Sequence, residues 1–402
     1  MKLKHIVLTT VFLLFLFGLS FFTIFTPDRK ISELENRSLA QMPEVTKTSV
    51  LSGEYFKDFE AYFTDQFFKR DKWVERYTMW EMSMNKTFVN GYHVTNDNWI
   101  MPQPSNSVNK KELEASATSL NELGTMLKAK GTDLYYFPMP AKVFEMADLL
   151  PPYVPRGKGQ ESTNYLLSNL NDQVVHGVNV SEKLNKDVSF EEKKSYYFKT
   201  DHHWNIKGAF FGFKTMIEEI SKTQPIKSEI NVEEEYSYSC QEGRELIGSW
   251  NRNLHMLVNA EDDKPCYYEP KDFSLADMDY YNGVVSEDKQ MEFTDYYATG
   301  IQEDLKIMEF HDAYANNYAE LNIVNPNVNN DVNALLIKDS YANPLVPHIS
   351  SLFKETTIFD PRYDKKRSVI DLLEEREFDV VIVLYNSNNL IGDMYKFNQP
   401  AK

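Results

Sequence analysis

Between Ile6 and Phe25 the chain reads IVLTTVFLLFLFGLSFFTIF, twenty residues without a charge, preceded by Lys2 and Lys4 and closed by Pro27-Asp28-Arg29. As an α-helix this run is about 30 Å long, the thickness of a bilayer's hydrocarbon. Apolar on every side and placed at a chain end, it has no polar face to turn outward from a soluble core. A cleavable signal has a shorter apolar region, about 7–15 residues, and a small-residue exit. This one leaves through Phe21, Phe22, Ile24 and Phe25. Residues 1–27 therefore read as a cytoplasmic tail and an uncleaved signal-anchor transmembrane helix. The basic tail favours retention in the cytoplasm, with Arg29 and Lys30 opposing it on the other flank. The expectation is a single-pass protein of the cell membrane whose remaining chain is extracytoplasmic.

Beyond the anchor, a 42% hydrophobic and 14% aromatic composition over 402 residues supplies a core and argues against disorder. The balance of 43 Lys and Arg against 60 Asp and Glu, net charge -17, argues against a nucleic-acid partner. Two cysteines are too few for a disulfide-stapled scaffold or a Cys-rich metal site. Outside the membrane Cys240 and Cys266 can pair around ELIGSWNRNLHMLVN; two buried thiols are the other reading.

Residues 28–100 read as a helical neck. Tyr55, Phe56, Phe59, Tyr62, Phe63, Phe67 and Phe68 recur at spacings of three and four, an aromatic stripe that is core or a docking face. From residue 101 to 402 helices and strands alternate. A helix over 109–130 ends at Gly131 and leads into the apolar run from Asp133 to Phe137. Further helices are expected at 205–222, 344–353 and 366–377, and strands at 333–337, 355–359 and 379–384. Strands rich in Val, Ile and Leu without strict alternation suit a parallel sheet covered on both faces, so the fold class is α/β. Residues 236–330 lack that rhythm and read as an insertion or cap.

In an open parallel sheet, chemistry gathers at the carboxyl ends of the strands. Directly after the strand at 333–337 comes Lys338-Asp339-Ser340-Tyr341-Ala342-Asn343, where a tight turn can expose the Ser340 hydroxyl. Elsewhere Thr200-Asp201-His202-His203-Trp204 collects an acid, two imidazoles and an indole before a helix. A serine nucleophile needs a base and a carboxylate to orient that base. Asp201 and His203, two apart, project to the same side of extended backbone, while His202 points away. His203 is then the base, and His202 a structural or substrate-contacting neighbour. A metal site on Asp201, His202 and His203 is the chemical rival, but no motif offers the remaining ligands. Helix capping by Thr200 or Asp201 with a packed Trp204 is the structural reading.

The run TDHHWNIKGAF resembles the signature of the bacterial DHHW family and is similar to the Thr-Asp-x-His-Trp motif of the alginate O-acetyltransferases, whose catalytic domain is SGNH-hydrolase-like. ENRSLAQMP at 35–43, FKDFEAYFTDQFFKRDKW at 56–73, PMPAK at 138–142, KDSYANP at 338–344, FDPRYD at 359–364 and VVIVLYN at 380–386 follow in that family's order. The resemblance implies a flavodoxin-like, SGNH-type sheet with helices on both faces and a Ser340–His203–Asp201 triad, without a metal or cofactor. It implies an oxyanion contact from Asn386, with Asn343, Asn388 and Asn389 competing for that role. The expected activity is transfer of an acetyl group through an acyl-Ser340 to a cell-envelope or secreted polysaccharide, the acetyl passed across the membrane by a membrane-bound O-acyltransferase. Trp204, Tyr196, Tyr197, Trp250 and Tyr341 are sugar-stacking or core residues, and Arg362 contacts an anionic sugar or forms a structural ion pair. A carbohydrate acetyl esterase with the same triad, and a non-enzymatic polysaccharide-binding scaffold of an export complex, are the alternatives.

Overall fold

The computed structural model describes residues 2–401 other than 33 and 36, so Asn36 of the ENRSLAQMP run lies outside the described residues. By its internal contacts the chain divides into two units, one of residues 1–90 with 251–258 and one of 91–250 with 259–402. In the first unit, helix α1 (Lys2–Phe25) is long and apolar enough to cross a membrane, and only 6% of its most apolar window is buried by protein. Helices α2 (Glu54–Asp65) and α3 (Arg70–Ser83) follow. The ENRSLAQMP run is tied to α2 by Arg37, whose guanidinium donates to both oxygens of Asp65 at 2.9 and 2.6 Å, while the Ala40 N–H donates to the same carboxylate at 2.8 Å. Bidentate geometry makes such a pair stronger than an ordinary surface contact, and the Arg37 and Ala40 bonds hold the Asp65 carboxyl down to about 2 against its burial.

The second unit is built on one eight-stranded sheet. Its strands are β1 (Asp133–Met139), β2 (His176–Gly177), β3 (Asp279–Tyr281), β4 (Gln290–Met291), β5 (Glu320–Val324), β6 (Asn333–Lys338), β7 (Glu355–Phe359) and β8 (Val380–Asn386). They lie in the order β4-β3-β5-β7-β6-β8-β1-β2. The run from β7 through β6, β8 and β1 to β2 is parallel; β5 joins β7 antiparallel and carries β3 and β4 outward, also antiparallel. The expected parallel sheet is thus parallel in its centre and mixed at one edge. Residues 236–330 supply that edge rather than standing apart from the sheet.

Helix α4 (Lys110–Ala129) buries Leu113, Ala117, Leu120, Leu123 and Leu127, a stripe of period 3.6. It stops where Gly131 takes a φ of 80°, the left-handed conformation that glycine supplies at a helix end. These leucines pack with Leu134 and Tyr136 of β1, Leu335 and Ile337 of β6, and Val381 and Val383 of β8. Each fully buried leucine stabilises the fold by about 2 kcal/mol. Alternation sends Tyr135 and Phe137 to the opposite face, where the Tyr135 hydroxyl meets Thr223 at 2.8 Å, just past α5 (Ile206–Ile220). Helix α6 (Phe310–Ala313) comes from the 236–330 region, and α7 (Val369–Glu375) opens on a Ser368 capping box. An antiparallel ribbon of 236–240 against 266–270 carries the Cys240–Cys266 disulfide between directly opposed residues.

Candidate active site

Because β6, β8 and β1 are adjacent and parallel, their carboxyl ends share one edge: Lys338 opposite Leu384, and Asn386 opposite Met139. Ser340 follows β6 at the head of a single 3-10 turn, Ser340–Ala342. Asp339 shapes that turn. Its buried carboxylate accepts the Tyr341 N–H at 2.9 Å on one oxygen, and on the other the Asn386 N–H at 2.8 Å and the Asn389 amide at 3.2 Å.

The DHHW run approaches the same edge. A bridge between Tyr197 and Trp204 pinches residues 198–203 into a loop. Within it the Asp201 carboxylate accepts the backbone N–H of His203 at 2.9 Å and meets His203 Nδ1 at 2.5 Å. His203 Nε2 lies 2.8 Å from Ser340 Oγ, across 137 residues of sequence. Asp201 and His203 are 2% and 4% exposed, while Ser340 is half-buried, so the hydroxyl is the reachable member of the three. Burial penalises the Asp201 charge, but the two imidazoles and the Ser249 N–H outweigh it and hold this carboxyl well below its usual range. Asp201 and His203 meet through a tight local turn rather than an extended step. His202 accordingly does not point away: its ring centre is 3.7 Å from that of His203, and its Nδ1 meets Ser249 Oγ at 2.8 Å.

Donor atoms of Asp201, His202 and His203 lie within 4.8 Å of one another, a spacing that would suit a cation. Both oxygens of Asp201, both nitrogens of His203 and Nδ1 of His202 already have protein partners. A metal held by all three residues would have to displace one of the two hydrogen bonds of the His203 ring.

Several residues that local sequence patterns do not single out hold this arrangement. Ser249 donates its N–H to the second Asp201 oxygen at 2.6 Å. Beside it, Gly248 passes so close to the loop that a Cβ there would sit 2.2 Å from the Thr200 carbonyl. Asp263, buried, accepts the Lys199 and Thr200 N–H groups and the Thr200 hydroxyl at 2.7, 2.7 and 2.6 Å. Lys142, fully buried after β1, donates to the Lys199 and Asp201 carbonyls at 2.8 and 2.7 Å, with the Trp99 and Trp250 rings against its ammonium. Burial draws that ammonium down to about 7, against the pull of Asp263 and Asp201. Phe310 of α6 stacks flat on His203, ring centres 3.6 Å apart.

Other expected contacts fall differently. Trp204 and Tyr341, each 1% exposed, pack on one another at 5.0 Å; the indole N–H donates to the Tyr341 carbonyl and the phenol to the His202 carbonyl. Neither has a face left for a sugar, and both brace the loop. Arg362 takes the structural option, with two hydrogen bonds to buried Asp360 at 2.8 and 2.6 Å. Asn343 is spent on Ala315, Asn317 and Lys338. Asn386 closes β8 with its Oδ1 accepting the Asn388 N–H at 2.9 Å.

Residues 93–259 match the family described as SGNH hydrolase-like domain, acetyltransferase AlgX; that stretch contains Asp201, His202 and His203 and stops before Ser340. No curated protein matches the chain. Among solved structures, Bacillus cereus PatB1 is 32% identical with a TM-score of 0.67, over 76% of this chain and 98% of its own. The chain belongs to the DHHW, AlgX-like family of SGNH-hydrolase-like acetyltransferase proteins. PatB1 with a sulfonyl adduct gives 30% identity and a TM-score of 0.66 over the same shares. A DHHW family protein from Eubacterium siraeum DSM 15702, 20% identical with a TM-score of 0.56 over 78% of this chain and 98% of its own, shares the fold.

Proposed function

We propose that the protein is a membrane-anchored, extracytoplasmic O-acetyltransferase that moves an acetyl group through an ester on Ser340 to a hydroxyl of a cell-envelope or secreted polysaccharide. The observation that carries this reading is the chain of contacts from Asp201 through His203 to Ser340 Oγ, at 2.5 and 2.8 Å. The ionised Asp201 fixes the His203 tautomer with Nδ1 protonated, leaving Nε2 to accept the Ser340 proton. Ser340 Oγ then bonds to the acetyl carbon of the donor, and the donor's leaving group departs with the proton from His203. In the second half an acceptor hydroxyl gives its proton to His203 and bonds to the same carbon, and Ser340 Oγ recovers a proton as its ester breaks. Negative charge on the acetyl oxygen is met by the Ser340 N–H and by the Asn386 side-chain amide, neither of which has an acceptor among the described residues. α1 anchors the chain, and a membrane-bound O-acyltransferase supplies the acetyl group on the outer side. Family membership supports transfer; water as the second acceptor would make the same site an esterase.

The full chain in detergent is offered p-nitrophenyl acetate, with Ser340→Ala and His203→Ala beside it. Loss of hydrolysis of about 10³-fold or more in both variants is expected; equal rates in all three would remove the triad. A sulfonyl fluoride should add mass to wild type and not to Ser340→Ala, in keeping with the sulfonyl adduct of PatB1. Oligosaccharides gaining acetyl mass in the presence of enzyme would separate transfer from hydrolysis.

A further inference from the structure

Helix α3 carries Trp73, Tyr77 and Trp80, and Met84 closes it. Spacings of four, three and four put these residues in one line along the helix. They are 43%, 54%, 54% and 54% exposed. A continuous aromatic line left in water marks a contact surface.

The same helix is fastened to the exit of α1. Thr23 Oγ1 accepts the Phe68 N–H at 3.1 Å, the Phe22 and Phe68 rings stack at 5.0 Å, and Arg29 donates to both oxygens of Asp71 at 2.6 and 3.2 Å. Thr23 lies two residues before the end of α1, so Phe68 and Asp71 stand level with the point where a membrane-embedded α1 emerges. Charge agrees with that position. Residues 69–86 hold five basic side chains (Lys69, Arg70, Lys72, Arg76, Lys86) and three acidic ones (Asp71, Glu75, Glu81); Arg70, Lys72 and Lys86 pair with Glu35, Glu75 and Glu81, which leaves Lys69 and Arg76 without an acidic partner among the described residues.

We propose that the line Trp73, Tyr77, Trp80 and Met84 docks on the lipid bilayer itself, lying in the headgroup layer of the outer leaflet beside anionic phospholipid. This rests on the membrane-anchor part of the reading above. Trp and Tyr are the side chains that bilayer interfaces retain, and flanking basic residues are drawn to anionic headgroups. A helix of this length spans about 21 Å, against a headgroup layer of about 5–8 Å on each side. All four residues reach lipid together only if α3 lies nearly flat on the surface.

The test uses the full chain reconstituted into vesicles of phosphatidylcholine and phosphatidylglycerol bearing a nitroxide near the headgroup. Tryptophan quenching is compared for wild type, Trp73→Phe, Trp80→Phe and the double variant. Each single variant should lose about half of the quenchable emission and the double variant nearly all of it, since Trp99 and Trp204 are buried and the fifth tryptophan, half-buried Trp250, packs against the Lys142 ammonium. A quenchable fraction that survives in the double variant, or that falls only on removing Trp73, overturns the proposal; the latter means an upright α3. No other protein is present in these vesicles, so a face reserved for a protein partner would also fail to quench. Alkaline carbonate extraction reads the anchor separately: a chain washed off the vesicles removes the anchor reading, whereas a retained but unquenched chain removes only this inference.

Discussion

His348 sits in an apolar cage, 1% exposed, with ring centres of Phe210, Tyr236 and Phe213 at 4.8, 5.8 and 6.1 Å and no partner for its Nδ1 among the described residues. Burial pushes the imidazole down to about 3, whereas a free imidazole titrates near 6.5. Between those values the unfolded chain holds a proton that the folded chain refuses, so this residue makes stability rise with pH across that window and costs nothing above it. At pH 5 the penalty is set by the one and a half units separating that pH from the free value, about 2 kcal/mol. His348→Leu should therefore stabilise the protein by that much more at pH 5 than at pH 8 in urea denaturation. An equal gain at both pH values would mean that the residue is protonated or relaxed in the fold. Ser340, Asp201 and His203 were legible in the sequence because their types carry chemistry and flank predicted strands or helices. The role of Lys142 is not legible there: an ammonium clamping two carbonyls between tryptophans is a product of tertiary approach, and PMPAK shows only its residue type.

At the scale of elements, the long periodic segments were legible and the short ones were not. The apolar stripe of α4 and the apolar run of β8 announce themselves through many residues. β3 has three residues and β4 two, with little pattern to read, so residues 236–330 look irregular although they pair into the sheet. The same region supplies Gly248 and Phe310 to the site. Gly248 meets the DHHW loop with its backbone: a Cβ would stand 2.2 Å from both the carbonyl carbon and oxygen of Thr200 and 2.3 Å from the Asp201 nitrogen. These are backbone atoms, so one segment must move. Gly248→Ala should push the Ser249 N–H off Asp201 and tilt His203 away from Ser340. A displacement of about 1 Å at a reacting group costs on the order of 100-fold in rate. The expected result is that loss in kcat for p-nitrophenyl acetate, with a lowered thermal midpoint because the buried backbone is forced apart, and unaltered kcat would show that the two segments part without disturbing the triad.

At the scale of the whole molecule, this region is tied back covalently. The disulfide joins Cys240 to Cys266, 26 positions apart, and the loop it closes contains Gly248, Ser249 and Asp263, which grip Thr200 and Asp201. Cross-linking a loop of this length lowers the entropy of the unfolded chain and stabilises the fold by about 3–4 kcal/mol on the chain-entropy account. Its second effect is on catalysis, because a loosened loop gives the Asp201 carboxylate fewer fixed donors and His203 a less definite orientation. Replacing both cysteines by serine should lower the thermal midpoint, and kcat with it, while the Asp201–His203–Ser340 residues themselves are unchanged. A reducing agent should do the same to wild type and nothing further to the double variant. Such coupling requires an oxidising compartment, the one expected outside the membrane. Full activity in reduced wild-type protein would separate them, and would leave the packing of Trp204, Tyr341 and Phe310 as sufficient to hold the site.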